Sequence, residues 1–147
     1  MAGSDGTAAP FVRPWTWLGA PSGSPGPGCR AAIIGLPFDC GTHPNRIGSR
    51  MGPAAIREQS THLRRFDPRT NLDVVAALGL VDCGDVAVTA SLIEPSFAAI
   101  ETALAGALAR NVVAVTMGGD GAVTLPQVRA MARQHPGLCI VHIDAHT

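Results

Sequence analysis

Asp144 and His146 stand two residues apart, directly after the apolar run from Leu138 to Ile143. In extended chain, residues two apart point to one side, so this carboxylate and imidazole can reach a common metal ion. A hard oxygen donor beside an imidazole suits manganese, iron or zinc. The competing reading is local: an aspartate at a strand end commonly caps the next turn and leaves a nearby histidine solvated. His142 shares the parity of Asp144 but lies inside the run, where it reads as a core histidine or as one supporting a ligand from behind.

Gly118-Gly119-Asp120-Gly121 follows a second apolar run and invites a phosphate-binding reading. The spacing argues against it. A dinucleotide fingerprint would need a third glycine at Thr124, and Asp120 puts negative charge where a pyrophosphate would sit. A tight turn that needs glycine is the structural reading. In Phe38-Asp39-Cys40-Gly41-Thr42, Asp39 is a candidate contact for a cationic substrate, or else a turn cap together with Thr42. Arg46 and Arg50 read as solvated or loop-bracing cations, and Asp82 and Asp85, around Gly84, as turn residues.

The elements that must position these residues alternate. Residues 1–28, rich in Pro, Gly, Ser and Ala, form a flexible N-terminal arm whose bulky anchors are Phe11, Trp15, Trp17 and Leu18, a composition suited to docking its aromatic centre on another surface. The domain proper spans 29–147. Ala31 to Leu36 predicts a short buried strand, and Gly52-Pro53 opens a helix containing Ile56 and Leu63. Val74 to Asp85 predicts one strand, or a strand and a turn. From Pro95 to Arg110, Phe97, Ile100, Leu104, Ala107 and Leu108 form one helical face, which Asn111 can end. Val112 to Met117 predicts a fully buried parallel strand, Val123 to His135 a helix, and Leu138 to Ile143 a second buried strand beside it. This order implies an α/β fold in three layers, a parallel sheet flanked by helices, with ligands bound at the carboxyl ends of the strands.

With 46% hydrophobic residues in 147, the chain is not disordered as a whole, and its 17 glycines and 12 prolines imply many loops. Eleven arginines, with no lysine, balance eleven acids. A net charge of zero without a basic cluster leaves no electrostatic footprint for nucleic acid. The four cysteines (Cys29, Cys40, Cys83, Cys139) form no Cys-x-x-Cys pair, which argues against a zinc ribbon or a thioredoxin-like site and for buried free thiols in a reducing cytosol. No cationic start leads into an apolar stretch, and no run approaches the roughly 18 apolar residues of a membrane span. A cytoplasmic protein with no membrane or nucleic-acid partner is expected.

Taken in order, Gly35-Leu36-Pro37-Phe38-Asp39-Cys40-Gly41-Thr42, Arg46-Ile47-Gly48-Ser49-Arg50-Met51-Gly52-Pro53-Ala54-Ala55-Ile56-Arg57, Asp82-Cys83-Gly84-Asp85-Val86, Gly118-Gly119-Asp120 and His142-Ile143-Asp144-Ala145-His146-Thr147 resemble the ureohydrolase family, its agmatinase branch above all. The resemblance runs from about Ala31 to the last residue and covers about the first half of a family member. It implies an arginase-like parallel sheet carrying a binuclear manganese site, where a bridging hydroxide attacks the guanidinium carbon of a linear substrate and urea and an amine leave. By the same resemblance, Asp144 bridges both metals and His146 binds one. Two departures stand out. Gly121 occupies the position at which the family usually has a histidine ligand, and the later ligands of the family would follow Thr147. The loop from Thr42 to Gly48, which borders the substrate entrance, is also one residue longer than in typical agmatinases.

The resemblance therefore implies the truncated, N-terminal half of an agmatinase-like enzyme acting on a small guanidino substrate, homo-oligomeric at full length and inactive as 147 residues. Two alternatives come from other classes. One is a catalytically dead partner that assembles with an intact homologue through an exposed strand edge. The other is a nucleotide-binding domain built on the glycine-rich turn.

Overall fold

Six consecutive buried residues, Ala31–Leu36, form strand β1 and place it at the centre of a three-stranded parallel sheet. Its neighbours are β4 (Val81–Asp85) on one side and β5 (Val113–Gly118) on the other, with Ala32 opposite Val81 and Ala31 opposite Val113. The computed structural model describes residues 15–39, 41–45, 47–89 and 91–145.

Alternate side chains of a strand face opposite sides of its sheet. Ile34 and Leu36 of β1 accordingly join Phe97, Ile100, Leu104 and Ala107 of α3 (Ile93–Leu108) and Ala130 of α4 (Thr124–Gln134) in one core. Ala31 and Ile33 join Val75 of α2 (Val74–Leu78), Leu80, Met117 and Ala20 in another, against which Trp17 and Leu18 pack. Helices thus cover both faces, and the expected three-layer α/β architecture is present. The apolar face read for α3 is the face it buries, Leu108 excepted, which is half-buried. Past its end Asn111 adopts the left-handed conformation, at φ 58°, that asparagine tolerates.

Several expectations need correction. Val74 to Asp85 opens as the helix α2 rather than as a strand: the Asp73 carboxylate accepts from Ala76 N at 3.1 Å to cap it, and Gly79, at φ 52°, ends it. Two short strands, β2 (Phe66–Asp67) and β3 (Leu72–Asp73), pair as an antiparallel ribbon that the sequence pattern did not announce. β5 is not fully buried. Val113 is 64% and Val115 45% exposed, and among the described residues no strand pairs with its outer edge. Residues 138–143 form no strand, and Ile143 is 94% exposed. Among the described residues they pair with no strand, so no ladder holds them extended. The cysteines depart too: Cys29 and Cys83 are half-buried and Cys139 is exposed, all three as free thiols, while Cys40 lies outside the described residues. Among the described residues no helix is long and apolar enough to cross a membrane.

The helix α1 (Gly52–Ser60) carries Pro53 in its first turn, as expected, yet buries a different face. Ile56 is exposed, and so is Leu63, which lies beyond the helix end; Pro53, Arg57 and Ser60 face inward. The Arg57 side chain, 8% exposed, donates from Nε and Nη2 to the two oxygens of Asp82, both at 2.8 Å, and from Nη1 to Asp85 Oδ1 at 2.5 Å. Burial pushes the Asp82 carboxyl upward, but the hydrogen bonds from Arg57, Trp17 N and Gly84 N outweigh it and hold the group below the usual carboxylate range. In turn, the Asp82 hydrogen bonds hold the Arg57 guanidinium charged against its own desolvation.

Replacing Arg57 by Met strands a buried carboxylate, so Arg57→Met is expected to lower stability by about 3–5 kcal/mol at neutral pH. Asp82 is depressed in the folded chain. Its contribution is therefore fully present above its unfolded value, about 3.9, and is lost as pH falls through the lower folded value. Urea melts of both proteins should show the gap narrowing on acidification; a gap independent of pH would contradict this account.

Candidate functional site

The carboxyl ends of β1 and β5 are stitched together by backbone. Gly119 N donates to Leu36 O and Asp120 N to Phe38 O, each at 3.0 Å. The approach is so close that a Cβ at Gly119 would lie 1.8 Å from Phe38 O. The need for glycine here comes from proximity to a second backbone, not from a left-handed φ. Asp120 then uses both oxygens on amides: Oδ2 accepts from Gly41 N at 2.8 Å and Thr42 N at 3.0 Å, and Oδ1 from Ala122 N at 3.0 Å. One carboxylate therefore clamps the loop after β1 and caps the 3₁₀ turn Gly121–Val123 that leads into α4. An incoming phosphate would find that capping position taken, which removes the basis of the nucleotide reading.

Gly121 is different from its neighbours. Its φ is not left-handed, it is exposed, and the nearest atom to a Cβ built there is Thr42 Oγ1 at 3.8 Å. Nothing in the backbone requires glycine at this position.

Asp39, at the end of the β1 segment, is buried. Its Oδ2 accepts from Gly48 N and Arg50 Nε, both at 2.8 Å, and Oδ1 accepts from Arg50 Nη2. The Arg50 hydrogen bonds, followed by that of the Gly48 amide, hold the Asp39 carboxyl far below the usual range. Asp39 thus braces residues 48–50 rather than capping a turn with Thr42, whose amide goes to Asp120. Arg50 is a loop-bracing cation, as expected; Arg46 lies outside the described residues.

Of the two residues singled out as metal ligands, Asp144 is exposed and His146 lies outside the described residues. His142 is not a core residue: it is exposed, with Nε2 3.4 Å from Asp144 Oδ2, a contact that their two-residue spacing permits. Among the described residues no group of three His, Cys, Asp or Glu side chains converges closely enough to hold a metal ion. With Gly121 offering no donor, these residues do not fit a binuclear manganese site.

The set that sequence reasoning missed is the ion network of Arg57, Asp82 and Asp85. The available signal was an arginine on the same helical face as Pro53 and Ser60, together with two aspartates flanking Gly84 in a short strand.

Comparisons with known proteins bear directly on this arrangement. Residues 29–147 match the family described as the arginase family. The guanidino acid hydrolase, mitochondrial, of Homo sapiens is 39% identical over 120 residues, covering 82% of this chain and 34% of that protein. The agmatinase, mitochondrial, of Gallus gallus is 38% identical over 120 residues, covering 82% and 35%. Among solved structures, the proclavaminate amidino hydrolase of Streptomyces clavuligerus superposes with a TM-score of 0.83 at 31% identity, covering 93% of this chain and 45% of that one. A formiminoglutamase of Trypanosoma cruzi, solved with Mn2+, superposes with a TM-score of 0.67 at 31% identity, covering 84% and 42%. The chain thus spans about a third of the length of the curated relatives it matches.

Two alanine substitutions separate the glycines of the turn. Gly119→Ala forces a Cβ into the Phe38 backbone, which cannot swing aside, and should cost about 1–3 kcal/mol or more. Gly121→Ala points into open space and should change stability by no more than about 0.5 kcal/mol. Denaturant titration of both variants checks this, and equal losses would contradict the distinction.

Proposed function

The chain belongs to the arginase family, and from that premise we propose that it supplies the N-terminal part of a manganese ureohydrolase that splits a linear guanidino compound, agmatine-like by resemblance, into urea and an amine. The match of 39% identity over 120 residues, together with the family match over residues 29–147, carries this reading. The fold supports it: both acidic turns, at Asp39 and Asp120, follow the carboxyl ends of parallel strands, where α/β sheets bind ligands. Asp144 and His146 are the proposed metal ligands. Asp39, satisfied by Arg50 and Gly48, is assigned to bracing the loop rather than to contacting substrate. Because the described residues do not assemble a metal site, no step of hydrolysis is assigned to them, and the 147-residue chain is proposed to be inactive alone.

The test is urea release with added manganese from agmatine, 4-guanidinobutyrate and 3-guanidinopropionate. The purified chain should give none, and turnover by it would end the claim of inactivity. A chimera carrying this chain in place of the matching part of the human guanidino acid hydrolase should release urea from at least one of the three. Gly121→His in that chimera should raise the rate at least about tenfold, since losing even a group that only orients a metal ligand typically costs about 10–100-fold. A folded chimera inactive on all three substrates, with either residue at 121, would sink the reading.

A second reading has its own observation. The uncovered edge of β5, with Val113 and Val115 exposed, suits a catalytically dead subunit that pairs with an intact homologue. Size-exclusion of the chain, alone and mixed with such a homologue, should then give a complex; a monomer under both conditions rules it out.

A further inference from the structure

Among the described residues, one cavity has a wall with two carboxylates and one guanidinium. It measures about 390 Å³ and lies where the chain leaves the carboxyl ends of β1 and β4. Pro37, Ala87 and Val88 supply apolar lining, while Asp39, Arg50 and Asp85 supply the polar groups. Asp39 and Arg50 form an ion pair with each other.

Among the described residues, Asp85 has no cation of its own. It shares the Arg57 guanidinium with Asp82, which takes Nε and Nη2 at 2.8 Å and leaves Nη1 for Asp85 Oδ1 at 2.5 Å. Two carboxylates with one guanidinium leave one formal negative charge. Of the two side chains Asp82 is 1% exposed and Asp85 39%, so the surplus is carried at the cavity wall. Arg110 borders the neighbouring cavity that Asp85 also lines, but its Nη1 donates to Gly106 O at 2.6 Å, and among the described residues it makes no ion pair with Asp85.

The carboxylate is also held in place. Gly35 lies so close beneath it that a Cβ there would be 1.8 Å from Asp85 Oδ1, and Arg57 is itself locked in the fold by Asp82. A charge fixed before binding loses little freedom when a ligand arrives.

We infer that this cavity binds a small alkyl cation, its ammonium group against the outward side of the Asp85 carboxylate and its aliphatic chain along Pro37, Ala87 and Val88. The volume falls in the range of small-molecule sites, and an apolar lining with one oriented polar group is their usual composition. The charge surplus selects cation over anion, and the apolar lining selects an alkyl chain over a bare ion. The inference goes beyond the proposed hydrolysis, since it rests on the charge and lining of this cavity alone.

The probe is n-butylammonium, titrated into the 147-residue chain at low salt and followed by amide chemical shifts, with n-butyrate and n-butanol as controls. Saturable shifts centred on Phe38 and residues 86–88 are expected with the ammonium ion only. Asp85→Asn keeps an oxygen for Arg57 but removes the charge, and should weaken binding at least about tenfold, about 1.4 kcal/mol. Ala87→Trp fills the cavity without touching the ion network and should abolish the shifts, which keeps the test decisive if Asp85→Asn fails to fold. An equal response to n-butyrate or n-butanol, no saturable response to the ammonium ion, or undiminished binding by Ala87→Trp would overturn the inference.

Discussion

On the α2 side of the sheet, α1 and the segment leading into β1 are held by the buried guanidinium of Arg57. It joins α1 to β4 through Asp82, and Asp82 in turn accepts from Trp17 N at 2.8 Å, which ties down the segment leading into β1. The carbonyl of Arg57 takes part as well: Ser60 Oγ donates to it at 2.6 Å and accepts from Leu18 N at 2.9 Å. One buried ion pair therefore sets how α1 and the N-terminal segment sit on the sheet. Buried pairs of this kind add little net stability over an apolar substitute, but they allow only one arrangement of their partners. That explains why α1 turns Ile56 outward. Satisfying a charge outranks burying one more aliphatic side chain.

The sequence made legible those parts of the fold whose signal is local. Six apolar residues at Ala31–Leu36, a 3.6-residue period from Phe97 to Ala107, and Gly52-Pro53 before a helix each report on their own conformation, and each stands where expected. The run from Leu138 to Ile143 has the same apolar character, but hydrophobicity says nothing of whether a neighbouring strand is there to pair with. Val113 and Val115 mislead in the same way, since a central strand and an edge strand can share one composition. The helix α2 was hidden by its length: five residues hold too little periodicity to outweigh β-branched Val74 and Val75.

The candidate site was legible in position and obscure in connection. That polar turns lie at the carboxyl ends of β1 and β5 follows from the order of elements, and the bracing role of Arg50 from its chemistry. That Asp39 answers Arg50, while Asp120 answers the amides of Gly41 and Thr42, is a matter of tertiary approach across as many as 79 residues. Both aspartates are occupied in shaping loops. The acidic character of this edge thus belongs largely to scaffold, and family membership, not the local geometry, is what points to guanidino chemistry.

The strand order has a consequence in time. β1 is among the first regular elements of the chain, yet it occupies the middle of the sheet, and its partners are distant: Ala32 pairs with Val81 and Ala31 with Val113. Until both have formed, an entirely apolar strand has no sheet in which to hide. Long loop closures must come before the contacts that reward them, which slows folding and prolongs the interval in which such a segment can associate wrongly. In a nascent chain of this topology, the central apolar strand stays unpaired until residues 81–85 and 113–118 have been made.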